Sequence, residues 1–258
     1  MQKPDDALIR RIADGEKIDS PEDVTPIYRS EVVRVMVVFV DSELAGAAGF
    51  AEQINQAPGM RERTTAARIV AEKFAHAETV LDLLQPFGVN PELYVRSHAW
   101  NARLNRAVDL GKRRLGGDKR LNVFHYPLLG WTDAVAMNML MGGASSVQLA
   151  ELLDCSYGPL ADAMEDIVKR EAEHASLGEI GLVQAIQRDA ETTAAQASID
   201  YWYPRVAHTF GRTDSQRFDL YRRLGLRRHS NADMLSAWTD DVVPRLVKLG
   251  LDVPSIVE

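Results

Sequence analysis

The chain has little of what would place it in an oxidising compartment or on a membrane. A single cysteine, Cys155, among 258 residues rules out an intrachain disulfide. No apolar run approaches the length of a bilayer crossing, and the most apolar stretch, Val32 to Val40, is interrupted by Arg34. The opening Met-Gln-Lys-Pro-Asp-Asp lacks the charged-then-apolar pattern of a secretory signal, so a cytoplasmic protein with no membrane partner is expected. Positive charge is also in deficit. Lysine and arginine number 30 against 37 aspartates and glutamates, a net charge of −7, which argues against a nucleic-acid partner held through its phosphates. The chain contains no glycine-rich nucleotide loop, no nucleophile elbow and no zinc-type cysteine pair. With no low-complexity segment either, residues 1–258 read as one domain, of which residues 1–28 form an amino-terminal arm with a short helix over 5–13.

Strand patterning is nearly absent as well. Val32-Val-Arg-Val-Met-Val-Val-Phe-Val40 has a β-branched look, but the apolar pattern continues to Ile54, longer than a strand runs. A helix capped by Ser30 and running from residue 31 into the fifties is expected. Ala57-Pro58-Gly59 ends it, and a second helix should occupy 61–84. A turn over 86–91 leads to a polar helix through about residue 112 and a glycine-broken basic loop over 111–120. The next helix begins near Leu129 and carries Gly142-Gly143, which either bend it or admit a neighbouring helix. Ser156-Tyr-Gly-Pro159 restarts the chain, with later helices expected over 183–209, 212–224 and 231–249. The fold class is all-α.

Two segments read as imperfect copies: Arg68-Ile-Val-Ala-Glu-Lys-Phe-Ala-His76 and Asp166-Ile-Val-Lys-Arg-Glu-Ala-Glu-His174. In the second, Glu171 precedes His174 by three positions, which on a helix puts carboxylate and imidazole on one face. A dimetal site in a helical bundle uses two such Glu-x-x-His pairs plus one carboxylate from each of two other helices. Here Glu43 precedes the first copy and Asp133 the second, each inside an apolar helical stretch where a charge is costly unless paired or metal-bound. The first copy departs from the pattern, because Lys73 holds the position three before His76. Glu72 lies about 40° away from that face on the 3.6-residue period and is the nearest substitute.

Ser42-Glu43-Leu-Ala-Gly, Ala57-Pro-Gly-Met-Arg, Phe124-His-Tyr-Pro-Leu-Leu-Gly-Trp-Thr-Asp133, Ser156-Tyr-Gly-Pro159 and Glu171-Ala-Glu-His174 together resemble successive segments of the phenylacetate catabolic family that includes the catalytic component of the multicomponent phenylacetyl-CoA epoxidase, a ferritin-like di-iron oxygenase. The resemblance implies a ferritin-like four-helix bundle with accessory helices at both ends. It also implies five of six metal-ligand positions, at Glu43, His76, Asp133, Glu171 and His174, with Lys73 in place of the sixth. Iron would then be present as one or two ions, or as none if Lys73 fills the site. Electrons would come from a separate reductase, and the partners would be an acyl-CoA and a related helical subunit or a second copy. The family also runs on well beyond the position of Pro254. Two functions are compatible with this: an oxygenase component with a modified, mononuclear site, and a noncatalytic structural subunit whose former site is held by Lys73 ion pairs.

Lys112, Arg113, Arg114, Lys119 and Arg120 form a basic loop suited to the phosphates of coenzyme A, or simply a solvated loop. Arg222, Arg223, Arg227 and Arg228 form a second basic cluster, suited equally to phosphates or to a docking partner. Met137, Leu140 and Met141, one and two turns beyond Asp133, are placed to line a substrate cavity or to fill the core, and Tyr201, Trp202 and Tyr203 read as core anchors.

Overall fold

Apolar residues spaced three and four apart set the architecture. The computed structural model describes residues 3–190 and 192–256. The first two residues of the arm, residue 191 within the helix expected over 183–209, and the last two residues of the tail lie outside that description. In chain order the helices are α1 (Lys3–Ala13), α2 (Pro26–Ala51), α3 (Met60–Leu84), α4 (Pro91–Arg96), α5 (Trp131–Ala150), α6 (Gly158–Asp189), α7 (Thr193–Ala207), α8 (Arg217–Arg223) and α9 (Asn231–Lys248). Helix α2 pairs with α3, α5 pairs with α6, and α3 lies against α6, which makes the ferritin-like all-α bundle. Helices α7 and α9 pack outside α5 through Trp202 and Trp238, both fully buried. Among the described residues there is no strand, and the one β-bridge joins Ile18 to Tyr157.

Two glycines set the closeness of α5 and α6. A Cβ on Gly142 would stand 2.7 Å from the Cα and Cβ of Ala175, and one on Gly178 would stand 2.5 Å from the backbone nitrogen of Met139. Gly142 therefore admits a neighbouring helix. Asn138 adds a cross-link there, donating from Nδ2 to the His174 carbonyl at 2.8 Å.

The arm is packed down rather than loose. Leu8 and Ile18 are buried in the cluster of apolar side chains around Tyr28, Met36 and Leu160, and Ile18 exchanges backbone hydrogen bonds with Ser156 and Gly158.

Several boundaries differ from the sequence expectation. Helix α2 begins at Pro26 and is capped by Thr25, not Ser30, because proline at the first helical turn gives up an N–H that has no intrahelical partner anyway. The helix expected through residue 112 stops at Arg96. Beyond it the side chains of Asn105, Asp109 and Asp118 accept from backbone N–H groups two residues on, drawing the chain into turns instead. Helix α6 runs unbroken to Asp189, past the expected new start at 183. The chain reverses only at Ala190, which takes a left-handed φ of 54°. Helix α8 begins at Arg217, five residues after its expected start.

Candidate functional site

The three central helices each carry charge inside an apolar stripe. On α3 the buried face reads Ala66, Ile69, Val70, His76, Ala77, Val80, Leu81 and Leu84, and Lys73 falls in step with it. On α6, Glu171 and His174 continue the face of Leu160, Met164 and Ile167, and on α2, Glu43 continues that of Met36, Phe39 and Val40. Packing these faces together forces the charged groups to meet.

Lys73 stands at the middle of the cluster. Its Nζ donates to Glu171 at 2.7 and 2.9 Å and to Glu43 at 3.2 and 3.4 Å. Burial alone would lower the Lys73 pKa, but Glu171 and Glu43 reverse the sign and keep the ammonium protonated. Burial likewise opposes ionisation of Glu171, yet Lys73, His174 and His76 hold its carboxyl well below the usual range. His76 Nδ1 lies 3.2 Å from Glu171 and 3.5 Å from Glu43, near enough for charge attraction though not aligned for a hydrogen bond. Against the cost of burial, the two carboxylates raise its pKa to about 9. His174 is bound on both sides, through Nδ1 to Glu171 at 3.1 Å and through Nε2 to Glu72 at 2.6 Å. The angular offset anticipated for Glu72 thus brings it to His174 rather than to His76.

Asp133 does not join this group. As the third residue of α5 it turns back along the helix, and Oδ2 accepts from the Leu129 N–H at 2.8 Å. Arg106 reaches the same carboxylate at 2.6 and 3.3 Å, and Trp202 Nε1 donates to Oδ1 at 2.9 Å. Nothing in the sequence marks Arg106, which lies in the irregular segment before α5 with its guanidinium 3.5 Å above the Tyr201 ring.

A dimetal occupant does not fit this donor set. Two divalent ions with the Lys73 ammonium would bring five positive charges against the three carboxylates of Glu43, Glu72 and Glu171, while Asp133 is committed to Arg106. One ion is a different matter, since Glu43, His76 and Glu171 each offer an atom within 4.8 Å of the others.

A cavity of about 820 Å³ runs from Glu43 outward between α2, α5 and the segment around α8. Its wall includes Arg114 and Lys119 of the first basic cluster and Arg227 of the second, together with Arg34, Arg212 and Arg217. Arg114 donates to the carbonyls of Lys119 and Arg120, and Arg227 makes its polar contact with the Met234 thioether. Burial lowers the pKa of both, and neither meets a carboxylate at ion-pair distance among the described residues. His125, on the same wall, is pushed down to about 4 by burial and by Arg120, Arg103 and Arg114 nearby. The other basic residues do different work. Arg120 is buried and spent on Asp118 and the carbonyls of Ala99 and Trp100, so it anchors the loop and has no donor left for a phosphate. Arg113, Arg222, Arg223 and Arg228 are exposed, and none of them, nor the half-buried Lys112, lines the cavity. A smaller void of about 40 Å³ is lined by Lys73, Glu171, Met137, Met141 and Trp202. Leu140, by contrast, is fully buried core.

Residues 1–257 match the sequence model of a family described as phenylacetic acid catabolic protein. The chain is also similar to the A component of the 1,2-phenylacetyl-CoA epoxidase of Escherichia coli strain K12, at 28% identity over 249 residues that cover 95% of this chain and 75% of the relative.

Proposed function

Starting from the premise that the chain belongs to the phenylacetic acid catabolic protein family, we propose that it is one component of a phenylacetyl-CoA-epoxidase-type oxygenase. It binds an acyl-CoA thioester in the large cavity, and its centre is closed by lysine in place of a dimetal site. Residues 1–258 act as one ferritin-like domain, alongside a reductase and a metal-bearing helical sister chain. The observation that carries this reading is that Arg114 and Lys119 of one basic cluster, Arg227 of a second and sequence-distant one, and Glu43 line one cavity. Arg114, Lys119 and Arg227 supply unpaired positive charge for phosphates, and the volume lies in the range that holds a large cofactor. Val38, Phe124 and Met141 line the apolar part of the wall, the surface that takes an acyl chain.

Charge reversal of Arg114 and Arg227 together is expected to weaken phenylacetyl-CoA or acetyl-CoA binding at least tenfold by titration calorimetry. Raised salt should weaken the wild type and shrink the difference, because the attraction is screened. Unchanged affinity in the double variant would remove the acyl-CoA from this cavity.

A second reading is favoured by the three-atom cluster of Glu43, His76 and Glu171. One divalent ion plus the Lys73 ammonium makes three positive charges, balanced by Glu43, Glu171 and Glu72 with neutral imidazoles. In that case the ion, held by Glu43, His76 and Glu171, would supply oxygen-activating chemistry. Elemental analysis of protein purified from iron-rich medium discriminates the two: none per chain supports the closed centre, one supports the mononuclear site, and two overturns both.

A further inference from the structure

The large cavity and the small void share part of their walls. Phe124, Met141 and Ser145 line both, with Glu43 on the side of the cavity and Lys73 and Glu171 on the side of the void. The ion-pair cluster therefore reaches both spaces, and the apolar part of what divides them is one aromatic ring and one thioether chain. We propose that Phe124, backed by Met141, is the stop that sets how long an acyl chain the cavity accepts, and that it holds the end of that chain away from Lys73 and Glu171.

The ring is held in a way that suits a wall. Phe124 belongs to the short 3₁₀ turn Asn122–His125, whose Val123 is buried. Before the turn the Leu121 N–H donates to Ser42 Oγ at 3.0 Å, and at its end the His125 carbonyl accepts from the Leu104 N–H at 2.7 Å. The backbone is thus tied on both sides, which leaves only the side chain free to move. Gly46 on α2 is the seat of the ring, since a Cβ there would stand 3.1 Å from its edge. Met141, from α5, is buried, and its unbranched thioether adapts to what lies against it. Phe124 is therefore the stiff part of the division and Met141 the compliant part. The void beyond has about 40 Å³, too little for an acyl chain, but its wall includes Leu128, Met137 and Trp202, apolar surface on which added methylenes can be buried. Removing the ring joins that surface to the cavity.

This inference rests on the acyl-CoA reading above, and its test separates the two. Titration calorimetry with acetyl-, butyryl-, hexanoyl-, octanoyl- and decanoyl-CoA measures the affinity of the wild type, Phe124→Leu and Phe124→Ala, and thermal melts report folding. The readout is the ratio of affinities between successive chains, in which any general weakening of CoA binding cancels. Each methylene that enters apolar surroundings should tighten binding about fourfold. In the wild type that gain should end at one chain length. In Phe124→Ala it should continue for at least one further two-carbon step, raising the ratio at that step about tenfold or more. Phe124→Leu keeps an apolar side chain on Gly46 and should shift the same ratio in the same direction by a smaller factor, so it decides if the alanine variant fails to fold. An unmoved end point in the folded variants, a gain that runs unbroken to decanoyl-CoA in the wild type, or an affinity indifferent to chain length would each overturn the stop. No binding of any of the thioesters by the wild type would instead overturn the acyl-CoA reading.

Discussion

Replacing Lys73 with alanine should lower the unfolding free energy by about 3–5 kcal/mol, the cost of breaking a buried ion pair by removing one partner. The side chains of Glu43 and Glu171 are 7% and 1% exposed, so neither can turn to water when the ammonium is lost. His76 remains to face both, and it is poorly aligned with either. The loss should shrink as pH falls, since the stranded carboxyls of the variant take up protons that Glu171 in the wild type resists. Urea unfolding at neutral and mildly acidic pH measures it, read as a drop in midpoint at constant slope. A change below about 1 kcal/mol, the worth of an exposed pair, would mean that Lys73 spends its time in solvent and that the closed centre does not exist.

The second large effect concerns the seam between α5 and α6. Gly178→Ala should cost about 1–3 kcal/mol, at the upper end for an added methyl group, because the atom it meets is the Met139 backbone, which no rotamer change can move aside. Gly142→Ala meets the Cα and Cβ of Ala175 and should behave alike. Gly143→Ala is the internal control. Its Cβ would meet only the Trp238 ring, at an ordinary 3.5 Å, so the helical preference for alanine should make it neutral or slightly stabilising. Equal destabilisation by all three substitutions would show that helix flexibility, not close approach, is what these glycines supply.

The parts of the molecule that were legible in sequence are those whose spacing carries the information. Lys73 stands out because the three-residue offset to His76 and the apolar stripe around it both require an inward side chain, and the structure places it between two carboxylates. Glu72 was visible for the same reason, although the period could not say which histidine it meets. Gly142 and the turn at Ser156-Tyr-Gly-Pro159 announced themselves through backbone chemistry. Arg106 had no such mark, because it acts from an irregular segment across 27 residues and its partner reads equally well as a metal ligand or a helix-start carboxylate. The same segment hid its own lack of helix. Its turns depend on single Asx side chains and on distant groups, neither of which has a period to read.

One of those distant groups is Asp41, fully buried on α2 two residues before Glu43. It accepts from Tyr94 Oη at 2.6 Å and from the Lys119 backbone N–H at 2.5 Å, with Trp100 Nε1 at 3.4 Å. Its consequence lies in amide exchange. A glycine-bearing stretch without helix or strand ordinarily exchanges its backbone protons through small, independent openings. The Lys119 amide is instead tied to a carboxylate inside the bundle and can exchange only when α2 is uncovered. Its protection should therefore approach that of α2, while Gly116 and Gly117, a few residues away and exposed, exchange quickly. The wall of the cavity inherits the slow clock of the helix core rather than the fast one of a surface loop.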